Sequence, residues 1–257
     1  MVRDGNLVIE GDGTLNTRGG AENTSTYETY SYGIYVESGN LTINSGTVNA
    51  SAVDTVECEA MAHISAISAG IEVQNGDMTV NGGTVTAKGS DYIEINSSSN
   101  AVYGRSAGIS VSRNNQNRTA RLFINGGTVQ AIGAMKSWNG VRAHGTSSQA
   151  MNYGVYAQQS VSIARGSLTA TSGESKYWTN GSSSGNGTSF GVATNSFTMS
   201  GGSALVTSEV LALGPTGADI KINLSNVTAK LSNWTDGDSP YEYSDYGAKN
   251  CKWFSAK

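Results

Sequence analysis

Gly33-Ile34-Tyr35-Val36-Glu37-Ser38-Gly39-Asn40-Leu41-Thr42-Ile43-Asn44-Ser45-Gly46-Thr47-Val48-Asn49-Ala50 is the stretch that decides the fold. Alternation sends Ile34 and Val36 to one face and Tyr35 to the other. Leu41-Thr42-Ile43 and Thr47-Val48-Asn49-Ala50 repeat the pattern, with Gly, Ser and Asn between them. Three short alternating runs punctuated by turn formers are the signal of half-buried strands, and helical spacing is nowhere sustained.

The block returns. It reads SAGIEVQNGDMTVNGGTVTA from Ser68, SAGISV then LFINGGTVQA from Ser106, NYGVYAQQSVSIARGSLTA from Asn152, and more loosely SFGVATNSFTMSGGSALVT from Ser189. Self-similarity at this period implies stacked coils rather than a globule. The strand-one glycines are Gly33, Gly70, Gly108, Gly154 and Gly191, and the strand-three glycines are Gly46, Gly83, Gly127, Gly166 and Gly202. Their separations are 13, 13, 19, 12 and 11 residues, the outlier holding an inserted turn, Arg113 to Arg118. The expected fold is all-β: a single-stranded, right-handed parallel β-helix of about seven coils or part-coils over 1–233, with three short strands per coil and long loops at one corner. Residues 234–257 break register and carry Trp234, Tyr241, Tyr243, Tyr246, Trp253 and Phe254, so an aromatic C-terminal cap is expected there.

Three core ladders follow from the register. Ile34, Ile71, Ile109, Val155, Val192 and Leu211 form the first. Ile43, Val80, Ile124, Ile163, Met199 and Ile222 form the second, and Val48, Val85, Val129, Leu168 and Val227 the third.

Charge is sparse and mildly acidic, net -4, which supplies no basic face for a phosphate backbone, so no nucleic-acid partner is expected. No apolar run is long enough for a membrane-spanning helix. Cys58 and Cys251 sit near opposite ends of the array, and stacked coils advance about 4.8 Å each, so two free thiols are expected. Asn-X-Ser/Thr triplets, as at Asn40 and Asn117, are a consequence of composition in a chain so rich in these residues. A repeat-like strand, Leu7-Val8-Ile9, follows within a few residues of Met1, as expected of a piece of a longer secreted protein whose export signal and anchor lie elsewhere.

The insertions between strand three and the next strand one fall at one corner: Ser51 to Ile67, Lys88 to Arg105, Ile132 to Met151 and Ser172 to Ser189. Stacking would pile them into a side wall holding both histidines, His63 and His144, with Tyr92, Tyr103, Trp138, Tyr177 and Trp178. Aromatic faces among Ser and Asn suit sugar rings, which offer apolar faces for stacking and hydroxyls for polar partners. These five aromatics are the candidate ligand-binding residues, with packing of the loops against the strands as the alternative. Tyr32, Tyr153 and Phe190 share the position before the strand-one Gly and are expected to seal that corner.

Catalysis needs convergent acid–base groups. Glu37 and Glu72, on outward positions of adjacent coils, are the best pair the strands offer, with His144 as a further weak candidate. No Asp-Asp pair occurs, Ala143-His144-Gly145 matches only part of the Gly-His-Gly turn of polygalacturonase-like glycosidases and falls inside a loop, and the Arg-x-Pro-x-x-Arg signature of pectate lyases is missing. Asp236, Asp238 and Asp245 lack the spacing of a calcium loop, and Asp54, Glu57, Glu59 and His63 read as a solvated acidic loop. No metal or cofactor is expected.

The consensus G-[IV]-x-V-x-x-G-x-L-T-[IV]-N-x-G-T-V-x-A resembles the repeats of bacterial cell-surface β-helix proteins, over Asn6 to Ser232. That resemblance implies secretion or surface display and a non-catalytic role in adhesion or contact with polysaccharide or host glycan and protein. The alternatives are a polysaccharide lyase or glycoside hydrolase, and a structural spacer. Thr47, Thr84, Thr128 and Ser167 form an outward ladder resembling the ice-facing surface of β-solenoid antifreeze proteins, but Asn49 and Gln130 interrupt its second row, and Thr suits any solvated strand.

Overall fold

The computed structural model describes residues 1–20, 28–60, 64–97, 102–135, 141–144, 148–179, 183–208, 211–216, 221–224, 228–233 and 254–255. These residues form a parallel β-solenoid and contain no helix. Strands one, two and three of the repeat build three sheets, A, B and C. In sheet A the strand Glu28–Ser38 pairs in parallel with Ile64–Gln74, then Val102–Ser112, Ser148–Ala157 and Thr188–Thr194.

The interior ladders take the expected register through the central turns. Ile34, Ile71, Ile109, Val155 and Val192 face one another in sequence, as do Ile43, Val80, Ile124, Ile163 and Met199. Apart from Ile34 at 7 %, each is at most 1 % exposed, in one continuous core. At the C-terminal end the ladders slip by two: Val192 faces Leu213 rather than Leu211, and Met199 faces Leu224 rather than Ile222. The third ladder passes from Leu168 to Ala204 and Ala229, while Val227 lies outside the described residues.

The expected corner loops are not simply loops. Thr55–Ala60, Tyr92–Ser97, Val141–His144 and Lys176–Thr179 stack in parallel as a fourth sheet, D, on which Ser183–Asn186 lies antiparallel. Four turns carry a strand on all four sides, and the flanking strands complete only A, B and C. The solenoid therefore has about four full turns rather than seven.

Sheet D has its own apolar interior. Val56, Cys58, Ile93 and Ile95 pack against Ala66, Val102 and Ala150 of the leading halves of the sheet A strands. The strand-one glycine marks the boundary between the two interiors. A Cβ on Gly154 would sit 2.5 Å from Thr171 N and 2.6 Å from Gly191 O, so only glycine lets sheet A close on the end of sheet C. Two residues earlier stands a buried polar ladder: Ser31, Ser68, Ser106, Asn152 and Ser189. It satisfies the chain leaving sheet C. Ser31 Oγ accepts from Val53 N at 2.9 Å, and the Asn152 amide accepts from Ala134 N and donates to Ala134 O, both at 2.8 Å. The recurring Ser/Asn-x-Gly thus pinches the cross-section into two lobes. The strand-three glycines turn the B-to-C corner with φ between 76° and 85°, the left-handed region open to glycine.

Cys58 is a buried free thiol, and Cys251 lies outside the described residues. Of the expected cap, only Phe254–Ser255 is described, antiparallel to Thr228–Asn233. No helix among the described residues is long and apolar enough to cross a membrane.

Candidate functional site

The outer face of sheet A carries the most distinctive chemistry of the described residues. Its rows run across the turns in register: Tyr32, Ala69, Ala107, Tyr153, Phe190 in one, and Tyr35, Glu72, Ser110, Tyr156 in the next. Two alanines in one row, and Glu72 and Ser110 in the next, therefore separate two groups of aromatics. On one side Tyr30, Tyr32 and Tyr35 stack, with centroids 5.8 and 4.9 Å apart and planes within 24° of parallel. On the other, Tyr153 packs on Tyr156 at 5.2 Å and on Phe190 at 6.0 Å. The residues before the strand-one Gly thus form part of two aromatic walls on sheet A, with an alanine gap between them.

Between the walls lies a buried ion pair. Arg105 Nη2 is 3.1 Å from Glu72 Oε2, and Ser112 Oγ donates to Glu72 Oε1 at 2.6 Å. Glu72 occupies an outward strand position yet is only 2 % exposed, and Ser110 beside it is fully buried. The Arg105 guanidinium lies 5.0 Å from the centre of the Tyr156 ring, where the ring's electron-rich face attracts it. Burial opposes its charge, but Glu72, with the phenols of Tyr103, Tyr32 and Tyr156, holds Arg105 above its ordinary value. The phenols also move upward. Burial first, then the Glu37 and Glu72 carboxylates, push Tyr35 up to about 12, and burial is the leading cause for Tyr32, Tyr153 and Tyr156 as well. These four tyrosines are neutral hydrogen-bonding groups at ordinary pH.

A half-open cleft of about 790 Å³ runs along the Tyr30–Tyr32–Tyr35 wall, with Glu37, Glu72 and Arg105 among the groups lining it. Its rim is amide-rich. The Tyr35 hydroxyl donates to Gln74 Oε1 at 3.0 Å, and Asn75, in the left-handed region at φ 60°, accepts from Asn114 N through Oδ1 at 3.0 Å. Asn114 belongs to the inserted turn, which Arg113 closes by donating to the carbonyls of Gln116 and Arg118 at 2.9 and 3.1 Å.

Glu37 and Glu72 line the same cleft, but the residue facing Glu72 across the sheet is Tyr35, and Arg105 and Ser112 already hold the Glu72 carboxylate. Tyr103 stands on the sheet A strand Val102–Ser112, whereas Tyr92 stands on sheet D. Tyr177 and Trp178 are on the sheet D strand Lys176–Thr179, facing Ala143 and His144. His144 is thus on a strand and not in a loop. Trp138 and His63 lie outside the described residues. Asp54 is paired with Arg18 at 2.7 Å, and no group of three or more potential metal ligands occurs among the described residues. The outward Thr row of sheet C does align, Thr14, Thr47, Thr84, Thr128, Ser167 and Ser203 facing one another in turn.

Comparison of the chain with protein-family models, with curated proteins and with solved structures yields no match. Sequence reasoning did not single out Arg105, although one signal was available. Arg105 occupies a row otherwise filled by the uncharged Tyr30, Ile67, Met151 and Thr188, so a guanidinium there departs from the repeat.

Proposed function

We propose that this chain is a non-catalytic module of an extracellular bacterial surface protein and that it contacts glycan. The observation that carries the reading is the row of three stacked tyrosines along a half-open cleft with an amide-rich rim. Flat aromatic faces take the apolar faces of sugar rings, and the surrounding amides and carboxylates take hydroxyls.

The polysaccharide lyase or hydrolase reading is weaker on this geometry. A general acid or base must be free to exchange its proton near the working pH. Glu72 is committed to Arg105 and Ser112, and Tyr35 titrates far above neutrality. A spacer would leave the tyrosine wall without a use.

A glycan-array screen tests the proposal, comparing the wild type with a Tyr30→Ala, Tyr35→Ala variant and with a Trp138→Ala, Trp178→Ala variant. Selective binding lost in the tyrosine variant supports the cleft. Loss only in the tryptophan variant moves the contact to the corner wall, and silence across the array favours the spacer.

A further inference from the structure

The two ends of the solenoid differ. Each turn is tied to the one before it by backbone donors at the corners. Thr47 and Thr84 N–H donate to Gly13 and Gly46 O at 2.9 Å, and Asn44 and Asn81 N–H donate to Ile9 and Ile43 O at 2.8 Å. In the first turn the matching donors belong to Thr14 and Glu10, and among the described residues they have no earlier turn to reach. Val2–Asp4, Leu7–Ile9 and Thr14–Arg18 are there the edge strands of sheets A, B and C. Val2–Asp4 pairs only along Val36 and Ser38, so among the described residues the edge of 28–34 is open beside it.

Apolar surface collects at the same end. The large hydrophobic residues exposed among the described residues are Met1, Val8, Leu15, Tyr30 and Leu205, and all but Leu205 lie in the first turn or in the strand stacked on it. Leu15 stands in the interior row of sheet C, facing Val48, yet is 39 % exposed because no turn covers it. Val2, Leu7 and Ile9 are likewise only partly buried against the core. A Cβ on Gly13 would meet nothing within 4 Å, so the backbone of this corner is open to close approach. Unpaired edges beside exposed apolar surface are a template for pairing with another chain.

The other end says which chain. In sheet C, Phe254–Ser255 lies antiparallel on Thr228–Asn233, so a second copy does not continue the array head to tail. Among the described residues, open edges of all three sheets stand together only at the N-terminal end, and only the same end of another copy offers three in return. A two-fold axis sets those edges antiparallel. That is how Ser183–Asn186 and Phe254–Ser255 both add to an edge of this solenoid. The end carries both signs of charge, Arg3 against Asp4, Glu10 and Asp12, so no single-sign field keeps two copies apart. We propose that two copies join through their N-terminal turns into a closed dimer. Met1, Arg3 and Asp4 also line the tyrosine cleft, so the junction sets two clefts side by side.

The test is sedimentation equilibrium of the full chain over about 1 to 200 µM, a range that brackets a micromolar dissociation constant. A monomer–dimer equilibrium is expected, with dimer prevailing at the upper end. Leu15→Lys places a charge in the apolar contact and is expected to weaken the dimer at least about tenfold. Thr14→Pro removes an edge donor that a single copy leaves unused, so it should weaken the dimer while the melting temperature of the dilute protein stays unchanged. Leu205→Lys, on the outer face of sheet C away from this end, should leave the dimer intact. Monomer throughout the range would overturn the proposal. So would a dimer that survives both Leu15→Lys and Thr14→Pro, or oligomers that keep growing with concentration, the mark of head-to-tail joining. None of these outcomes touches the glycan reading, which the array decides.

Discussion

Glu72 and Arg105 form a buried ion pair, 3.1 Å apart and with side chains 2 % and 8 % exposed, on the face of sheet A that points away from the solenoid core. They come from successive turns, 33 residues apart in the chain. An outward strand position is normally wet. Here aromatic neighbours on both sides have closed over it.

Removing one partner leaves the other charged and buried. Arg105→Met alone is expected to cost roughly 3–5 kcal/mol, and an Arg105→Met, Glu72→Leu double variant to recover most of that, because paired removal leaves no stranded charge. Urea unfolding of the two single variants and the double variant measures the coupling directly. Additive losses would contradict the pair.

The pinch between the two lobes predicts an asymmetry among glycines. Gly154→Ala would drive a methyl against Thr171 N and Gly191 O and is expected to destabilise at or above the upper end of the roughly 1–3 kcal/mol typical of overpacking. Gly13→Ala meets nothing within 4 Å and should be near neutral. Thermal melts of the two variants side by side separate a steric role from a general glycine effect.

In the core, Ile124 is fully buried between Val80 and Ile163. Ile124→Ala is expected to lose about 2–5 kcal/mol, and Ile124→Asp to prevent folding of the turns around it. Hydrogen exchange should show protection lost first in Met78–Val80 and Ser160–Ile163, the strands that flank it.

Much of this architecture was legible in the repeat. The Ile and Val positions are fixed by period two and by the Gly-Thr-Val anchor, so the central ladders could be placed residue by residue. The ends could not. Leu211 and Leu213 lie two apart, as do Ile222 and Leu224, and alternation puts both members of each pair on one face. Without a clean glycine anchor nothing chooses between them. Sheet D was hidden because its apolar pairs, Val56 with Cys58 and Ile93 with Ile95, are short, the first set among acidic residues and alanines and the second among Ser and Asn, so both read as loop. The tyrosine wall was half visible, since Tyr32 and Tyr35 flank a strand-one glycine. The ion pair was not, because it depends on which residue of one turn lies beside which residue of the next.

The tyrosines give the protein an alkaline limit. Tyr35 has its folded-state value raised from the ordinary 10.0 to about 12, chiefly by burial, and Tyr32, Tyr153 and Tyr156 move the same way. A raised value means the folded state holds the proton more tightly. The associated stability is complete below about pH 10 and declines as pH rises towards 12 and beyond. Melting temperature should show no tyrosine-linked fall up to pH 9 and drop steeply above 10, in step with phenolate absorbance. Ionisation of Tyr32, Tyr35, Tyr153 or Tyr156 near pH 10 in the intact fold, followed residue by residue by NMR, would contradict the buried wall.

The most direct test of the central claim is an amide chemical-shift map of the protein titrated with the tightest sugar from the array. The cleft predicts perturbations concentrated in Glu28–Ser38, Ile64–Gln74 and Val102–Ser112, the three strands that carry the tyrosine wall and the ion pair. Shifts confined to Val141–His144 and Lys176–Thr179 of sheet D, or no shift at millimolar sugar, would contradict it.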